Sequence, residues 1–209
     1  MDLKEAISIA RGGNSILFLG AGASWGARNT NGGAIPTGGK LASTLAAALS
    51  LDDDTALDRL ADFYMEDHGA AALVQLLKSE LTVSEVAEHH RSIASNEWLR
   101  VYTTNYDNVF ETARENVGRV TTTAVLSDRP DSLLSTQNCC IHINGSIASL
   151  SETTLQTQFK LSTTSYLTQH FQESEWVDVF RTDLRLADIV LFVGYSMYDL
   201  DIQRIIFET

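Results

Sequence analysis

Short apolar runs alternate with segments of helical periodicity along most of this chain. The first run, Ser15–Leu19, is apolar after its serine and is flanked by glycine-containing turns. Such a run is typical of a strand that is buried on both faces of a parallel sheet. Residues 2–11, just before it, carry apolar side chains at helical spacing and end at Gly12-Gly13. The pattern therefore predicts a helix followed by a buried strand.

The same alternation returns in the second half of the chain. Strands are predicted over residues 98–103, 119–124, 139–143 and 188–193, and helices over residues 106–117, 162–170, 173–186 and 197–207. Strands that alternate with helices form parallel sheets covered on both faces. The predicted fold class is therefore α/β, with a Rossmann-like parallel sheet and helices on both faces.

A stretch of helical patterns separates these two parts. Helices are predicted over residues 38–50, 55–65, 68–80 and 82–96, the last because Thr82 and Glu85 have capping-box spacing. We interpret residues 40–96 as a helical insertion in a domain that spans residues 1–209. The last predicted helix has no glycine cap or polar tail, so we expect the chain to be the N-terminal part of a longer protein.

Composition narrows the classes of function. The chain has 209 residues, of which 44% are hydrophobic, which suits one compact domain or a domain with a small subdomain. Its formal net charge of -12 provides no basic surface for nucleic acid, so we expect no direct nucleic-acid binding. The N-terminus lacks a signal-peptide pattern, and no apolar run approaches the roughly 20 residues of a membrane span. We expect a cytoplasmic protein that does not enter a membrane.

The turn after the first strand consists of very small residues, Gly20-Ala21-Gly22-Ala23-Ser24. Ligands of open α/β sheets lie beyond the carboxyl ends of the strands, where this turn begins. Glycine permits positive φ and leaves room for a pyrophosphate near backbone N–H groups. The GxGxxG pattern is incomplete, because Trp25 stands where its third glycine would fall. Two interpretations stay open: a diphosphate cradle, or a tight turn packed closely on a helix.

Three later strands also end in polar or small residues. The strand predicted at 98–103 is followed by Thr104, Asn105 and Asp107. The strand at 139–143 contains His142 and is followed by Asn144-Gly145-Ser146, and the strand at 188–193 is followed by Gly194 and Ser196. Asn105 is either a ligand contact or a helix N-cap, and His142 is either a site residue or a histidine satisfied in the core. Glycine, hydroxyl, amide and imidazole groups thus converge on one edge of the sheet, which predicts one binding site there.

Two other polar clusters have simpler interpretations. Because adjacent residues on a helix point in different directions, His89 and His90 are interpreted as solvated surface, not as a metal pair. The acidic residues at 52–54 are interpreted as a helix N-terminal cluster, which the helix dipole favours, and not as a magnesium site.

The motifs, in their order, resemble the sirtuin-like (SIR2-like) domains of bacterial antiphage defence proteins. The matching residues are FLGAGAS at 18–24, GAIP at 33–36, TTNYD at 103–107, HINGS at 142–146, Ser165-Tyr166, and VGYSMYDLDI at 193–202. The resemblance implies a Rossmann-like domain that binds NAD and, in the defence branch, hydrolyses it to nicotinamide and ADP-ribose. It also implies abortive infection by NAD depletion, a homo-oligomer, and a partner protein or C-terminal regulatory domain that controls activity.

The resemblance assigns roles residue by residue. It implies that Asn105 and His142 are the catalytic pair at the reacting ribose. It implies a cofactor-binding set of Gly20, Ala21, Gly22 and Ser24 at the pyrophosphate, Gly194 and Ser196 at the adenosine, Asp107 near the nicotinamide, and Pro36 and Thr104 from the matching loops.

The chemistry of this reaction suits the proposed pair. Nicotinamide leaves as a neutral molecule, so no strong general acid is needed. His142, with an ordinary pKa of about 6.5, suits the role of acceptor for the proton of the attacking water. The amide of Asn105 can accept from water while it donates to the ribose or the carboxamide.

The chain departs from deacylating sirtuins in three places. It lacks their two CxxC pairs, since Cys139 and Cys140 are adjacent and are its only cysteines, so we expect no structural zinc, and this places deacylation in doubt. Pro36 precedes Thr37-Gly38-Gly39 instead of Asp-Phe-Arg, and Ile143-Asn144 separates His142 from its glycine. Two alternatives remain: a regulatory module that binds NAD or ADP-ribose without turnover, and an NAD-dependent deacylase.

Overall fold

A computed structural model describes residues 2–52, 54–133, 139–168, 171–197 and 199–209. The strands are β1 (Ser15–Leu19), β2 (Arg28–Asn29), β3 (Val83–Glu85), β4 (Arg100–Thr103), β5 (Thr122–Val125), β6 (Cys139–His142) and β7 (Ile189–Val193). The helices are α1 (Leu3–Ala10), α2 (Gly38–Leu49), α3 (Leu57–His68), α4 (Ala70–Leu81), α5 (Glu88–Ala94), α6 (Val109–Asn116), α7 (Pro130–Leu133), α8 (Glu152–Thr157), α9 (Thr163–Thr168), α10 (Trp176–Leu186) and α11 (Leu200–Glu208). None of the described helices is long and apolar enough to cross a membrane.

Within the described residues, the central sheet has five parallel strands in the order β5-β6-β4-β1-β7. In β1, Leu17 lies opposite Val101 on one side and Leu191 on the other. Because all these strands run in the same direction, their carboxyl ends lie at one edge of the sheet. The Rossmann-like α/β class predicted from the sequence is confirmed.

Each face of the sheet packs against its own cluster of buried side chains. Successive residues of a strand point to opposite faces, so β1, which is apolar after Ser15, contributes to both clusters. Leu17 and Leu19 pack in the core that includes helices α2 to α6, and Ile16 and Phe18 pack in the core that includes Trp176 of α10. An apolar strand without alternation is therefore the sequence that this position requires.

Three of the helices predicted between residues 40 and 96 are present as α2, α3 and α4. The prediction of a helix from Thr82 was wrong, because Val83–Glu85 forms β3, which pairs antiparallel with β2, and α5 begins only at Glu88. Val83 is buried and its N–H donates to Asn108 Oδ1 at 2.9 Å. Burial and this long-range hydrogen bond outweigh the local capping pattern. The segment is thus not purely helical. Its residues Leu45, Leu60 and Leu73 lie in the core beside the sheet.

Two helices begin later than predicted because an aspartate holds the chain before each of them. Before α6, the Oδ1 of Asp107 accepts the N–H of Val109 at 3.1 Å. Before α11, the Oδ1 of Asp199 accepts the N–H of Asp201 at 3.1 Å. A carboxylate in this position satisfies an N–H group that the helix leaves unpaired. Residues 104–108 are therefore left outside any helix.

Some predicted features fall partly outside the described residues. The predicted helix over residues 162–170 is present as Thr163–Thr168, and residues 169 and 170 are not described. Ser165 is fully buried, and its Oγ donates to the carbonyl of Ser162 at 2.7 Å, whereas the side chain of Tyr166 is not described. The acidic cluster at 52–54 includes Asp53, which also lies outside the description.

The turn after β1 packs directly on the turn after β7. A Cβ added to Gly20 would lie 2.6 Å from the Cα of Tyr195, and a Cβ added to Gly194 would lie 2.0 Å from the N of Ala23. Gly194 also has a φ of 62°, in the left-handed region that favours glycine. The small residues of both turns are therefore required by the contact between two backbones.

We expect Gly194→Ala to lower the free energy of unfolding by about 2–3 kcal/mol, at the upper end of the usual cost of overpacking, because its methyl group meets backbone atoms. Gly39→Ala is the matched control, since a Cβ at Gly39 meets no atom within 4 Å. That control should leave stability unchanged or raise it, as alanine is the better helix former. Urea unfolding measures both. Equal stability of Gly194→Ala and the wild type would contradict the packing described.

Candidate functional site

Hydrogen bonds join the carboxyl ends of β1 and β4 into one buried network. Asn105, directly beyond β4, donates from Nδ2 to the carbonyl of Gly20 and to the Oγ of Ser24, both at 3.0 Å. The Ser24 hydroxyl in turn donates to Oδ2 of Asp107 at 2.7 Å. Asn105 is 9% exposed, Ser24 3% and Asp107 7%. The structure thus brings these three predicted site residues into direct contact.

The sheet itself fixes this network, because its hydrogen bonds continue past the ends of the strands. The N–H of Thr104 donates to the carbonyl of Leu19 at 3.1 Å, and the N–H of Ile143 donates to the carbonyl of Thr103 at 2.8 Å. The N–H of Asn105 donates to the hydroxyl of Thr103 at 3.0 Å. The sheet therefore fixes the backbone up to the N–H of Asn105, and the chain leaves the sheet after this residue.

These contacts limit what the amide of Asn105 can do. An asparagine amide nitrogen has two hydrogens, and those of Asn105 are directed at Gly20 and Ser24. The side chain can therefore offer a ligand only its oxygen, as an acceptor. The expectation that it also donates to the ribose or the carboxamide does not fit this geometry.

His142, at the end of β6, lies behind Asn105 with both ring nitrogens engaged. Its Nδ1 is 2.9 Å from the carbonyl oxygen of Asn105 and its Nε2 is 2.9 Å from Oε1 of Glu111. A carbonyl only accepts, so Nδ1 must carry a hydrogen. The ring is 1% exposed. Neither nitrogen is free to take a proton from water, which does not fit the expected role of His142 as proton acceptor.

Charge stabilises the contact between His142 and Glu111. Burial, the largest influence, disfavours the imidazolium, but the charge and hydrogen bond of Glu111, with the Asn105 carbonyl and Asp107, outweigh it and raise the pKa of His142. Burial likewise disfavours the Glu111 carboxylate, but His142 outweighs it and lowers the pKa of Glu111. Both shifts favour a buried ion pair.

Cys140 lies beside this ion pair, so three groups of metal-ligating type are close together. Their ligand atoms lie within 4.8 Å of one another. The Nε2–Oε1 distance of 2.9 Å is that of a charge-assisted hydrogen bond with the proton between the atoms. Burial and the nearby Glu111 carboxylate raise the pKa of Cys140 well above its usual range, which disfavours the thiolate that binds metals. The arrangement therefore suits an ion pair. The absence of structural zinc stays a prediction, which elemental analysis of the protein would test.

A cleft of ≈170 Å³ opens in front of Asn105. Its predicted site residues are Ala21, Pro36, Thr104, Asn105 and Asp107, and its other lining residues are Gly38, Leu41, Leu57, Leu81, Tyr106 and Asn144. The leucines come from or border the helices α2, α3 and α4, so the segment at 40–96 forms one wall. His142 instead lines a smaller cavity of ≈20 Å³ behind the network, together with Glu111. Asn105 and Asp107 line both cavities.

The backbone N–H groups of the glycine turn are largely used within the protein. Gly20 donates to the carbonyl of Val193 at 3.0 Å, Gly22 to that of Gly194 at 2.9 Å, and Ala23 to that of Gly20 at 2.8 Å. Of the two interpretations of this turn, close packing is present, but the turn packs on the turn after β7 and not on a helix. The expectation that the backbone N–H groups of Gly20 and Gly22 bind a pyrophosphate does not fit these hydrogen bonds.

The end of β7 contributes to the site only through that packing. Gly194 touches Gly22, and both are exposed at the rim beside Ala21. Ser196 is exposed and does not line the cleft in front of Asn105. The adenosine-binding roles of Gly194 and Ser196 stay predictions.

Sequence analysis missed two residues that support the site. Glu111 gave no signal beyond its place on the predicted helix after Asp107. His90 was wrongly interpreted as solvated surface, since it is 4% exposed and its Nε2 donates to the carbonyl of Ala23 at 2.8 Å. Its Nδ1 accepts the N–H of Ala87 at 3.0 Å, which fixes the neutral tautomer and ties α5 to the glycine turn.

We expect Glu111→Gln to lower the pKa of His142, because the charge that raises it is lost while burial remains. The stability from the raised His142 pKa is present in full below its ordinary value of 6.5 and is lost as pH rises through the folded value. The stability from the lowered Glu111 pKa is present in full above its ordinary value of 4.5 and is lost as pH falls. The loss of stability relative to the wild type should therefore be largest between about pH 4.5 and 6.5.

Urea unfolding across this pH range and NMR titration of the His142 ring provide the measurements. Glu115→Gln, at an exposed position of the same helix, is the matched control and should change neither. An unchanged His142 titration in Glu111→Gln would show that the two side chains are not coupled.

Comparison with known proteins gives one family. A model of the SIR2-like domain matches residues 99–209, which is more than half of the 209 residues. A comparison with curated proteins gave no match. The matched segment includes Asn105, Asp107 and His142, and the glycine turn that Asn105 binds lies before it. With this match covering the polar ends of β4, β6 and β7, the chain belongs to the SIR2-like domain family.

Proposed function

We propose that the chain hydrolyses NAD+ at the bond between nicotinamide and ribose, releasing nicotinamide and ADP-ribose. SIR2-like domains use NAD+, which gives the substrate class. The observation that carries the proposal is the position of Asn105, whose side chain is anchored on the glycine turn while it lines a cleft with Asp107. An anchored amide oxygen beside a carboxylate is suited to hold a ribose hydroxyl or a water molecule.

The walls of the cleft suit the nicotinamide end of the substrate. Pro36, Leu41, Leu57 and Leu81 provide an apolar wall for a flat ring, and polar groups converge beyond it. The volume of ≈170 Å³ is below the roughly 300–1,000 Å³ of pockets that enclose whole drug-sized ligands. We therefore place only the nicotinamide and its ribose in the cleft, and the rest of the dinucleotide along the rim.

The first turn of α2 is a candidate for the diphosphate. It begins at Gly38, which lines the cleft together with Ala21. The N–H groups of a first helical turn have no partner within the helix and carry the positive end of its dipole, which attracts anions. In α2 the N–H of Lys40 donates to the hydroxyl of Thr37 at 3.4 Å, so those of Gly38 and Gly39 are the candidates. In this proposal Gly20, Gly22 and Ser24 support Ala21 from beneath, and Gly194 and Ser196 extend the rim towards the adenosine.

The reaction needs little acid catalysis but needs a proton acceptor. When the bond between C1′ and the ring nitrogen breaks, its electron pair passes to the pyridinium, which leaves as neutral nicotinamide. A water molecule then adds to C1′ and loses a proton. Since the ring nitrogens of His142 are engaged, we assign the acceptor role to the carboxylate of Asp107, which lines the cleft, and assign to His142 the positioning of Asn105 through its backbone carbonyl.

We expect Asn105→Ala to lower nicotinamide release from NAD+ by roughly 10² or more, the usual effect of losing one positioned polar group at a reacting centre. Chromatography of the products measures it, with thermal unfolding as a check of the fold. Asn116→Ala, at the exposed end of α6, is the control and should retain full activity. Release by Asn105→Ala at the wild-type rate would exclude Asn105 from the mechanism.

The same variants test the proposed setting in antiphage defence, which rests on the resemblance of the motifs. In infected cells the wild type should lower NAD+ and reduce plaque counts, whereas Asn105→Ala should do neither. If the wild type and Asn105→Ala reduce plaque counts equally, defence does not require the proposed hydrolysis. Size-exclusion chromatography checks the predicted homo-oligomer.

The pH dependence of turnover tests Asp107. Burial, the largest influence, raises the pKa of Asp107 above its ordinary value of 3.8, although Ser24, Val109 and His142 partly oppose it. A carboxylate that accepts a proton is active only when ionised, so we expect kcat to fall as pH drops through this raised pKa. Asp107→Asn should lower kcat by roughly 10² and remove this limb of the profile. An unchanged limb in Asp107→Asn would assign the acceptor role to another group.

A further inference from the structure

The turn after β6 holds Asn144 in a fixed position at the cleft. Gly145 has a φ of 98°, and a Cβ there would lie 2.5 Å from the carbonyl oxygen of Gln158, so the turn requires glycine. The carbonyl of Asn144 accepts the N–H of Lys160 at 2.9 Å. These contacts hold the backbone of Asn144 on both sides.

Among the described residues, one hydrogen bond orients the side chain of Asn144. Its Nδ2 donates to the carbonyl of Thr104 at 3.1 Å. A carbonyl only accepts, so this contact determines which end of the amide is nitrogen. The Oδ1 then points elsewhere. It is buried, and it has no hydrogen-bond partner among the described residues.

A buried acceptor without a partner is unfavourable, and native proteins satisfy nearly all such atoms. Asn144 lines the same cleft as Asn105 and Asp107. The amide oxygen of Asn105 and the carboxylate of Asp107 are also acceptors. Three residues that line this cleft therefore carry acceptor oxygens, which suits a ligand that brings several N–H or O–H groups and a positive charge.

We propose that Asn144 is a specificity residue whose Oδ1 accepts a hydrogen bond from the nicotinamide riboside half of NAD+. Among the donors of that half, the carboxamide N–H is the one that distinguishes NAD+ from its deamidated form, nicotinic acid adenine dinucleotide. In that form a carboxylate replaces the donor and would face Asn144 and Asp107 with a negative charge. Asn144 would thus select for the amide. The inference rests on the NAD+ binding contained in the proposed function.

Calorimetric titration of the full chain with three dinucleotides tests the selection without any substitution. The ligands are NAD+, nicotinic acid adenine dinucleotide, and the 3-acetylpyridine analogue, which lacks the amide N–H. We expect the wild type to bind NAD+ at least roughly tenfold more tightly than either analogue, because a buried polar group left unpaired is penalised. Equal affinity for NAD+ and the deamidated form would overturn the selection. Chromatography after titration measures any cleavage, and for a ligand that is cleaved the comparison uses kcat/KM in place of affinity.

Two variants of Asn144 assign this preference to its side chain. Asn144→Leu removes the acceptor and should weaken NAD+ binding roughly tenfold while it removes the preference over the 3-acetylpyridine analogue. Asn144→Asp retains an acceptor but loses the hydrogen bond to Thr104, so it should weaken NAD+ binding less than Asn144→Leu does while it strengthens discrimination against the deamidated form. Asn116→Leu is the control. If Asn144→Leu weakens NAD+ and the 3-acetylpyridine analogue equally, the donor is a ribose hydroxyl and the assignment to the carboxamide is wrong.

The outcomes separate this inference from the proposed function. Unchanged NAD+ affinity in a folded Asn144→Leu would overturn the role of Asn144 and leave hydrolysis standing. Tight and selective NAD+ binding without nicotinamide release would overturn hydrolysis and leave the role of Asn144 standing. A wild type that does not bind NAD+ would overturn both.

Discussion

The site depends on the hydrogen bonds of one buried amide. Asn105 ties its own strand end to the glycine turn through its side chain and accepts from His142 through its backbone. In a low-dielectric interior such bonds are strong, and an unpaired member is costly, so the network either forms completely or fails as a unit. Because it joins the ends of β1, β4 and β6, the cleft in front of it has a fixed floor.

The ion pair behind the network places charge where the sheet alone would place only apolar side chains. Removing one partner of a buried pair leaves the other charge uncompensated, which typically costs about 3–5 kcal/mol. Glu111 and His142 therefore stabilise each other strongly even if the pair as a whole adds little to stability. In the proposed function their effect is positional, since the imidazole holds the carbonyl of Asn105.

The glycine turns serve packing first, and this limits the binding role that the proposed function gives them. Gly20, Gly22 and Gly194 let two backbones approach closely, and this contact uses N–H groups that a ligand could otherwise bind. The turn nevertheless leaves Ala21 on the cleft. Small side chains at this place therefore leave room beside Ala21, and in the proposed binding mode the first turn of α2 supplies the N–H groups for the diphosphate.

The sequence by itself determined the five strands of the central sheet, because short apolar runs are a local signal; β1 lies where it was predicted, at Ser15–Leu19. The sequence also predicted that the polar residues after these strands lie close together, since parallel strands have their carboxyl ends at one edge of the sheet. Local patterns failed where a distant contact was stronger, as at Val83. Only the tertiary structure decided the partners of His142 and Asn105, because Glu111 is 31 positions from His142 and Gly20 is 85 positions from Asn105. Spacing along the chain carries no information about such contacts until the strand order is known.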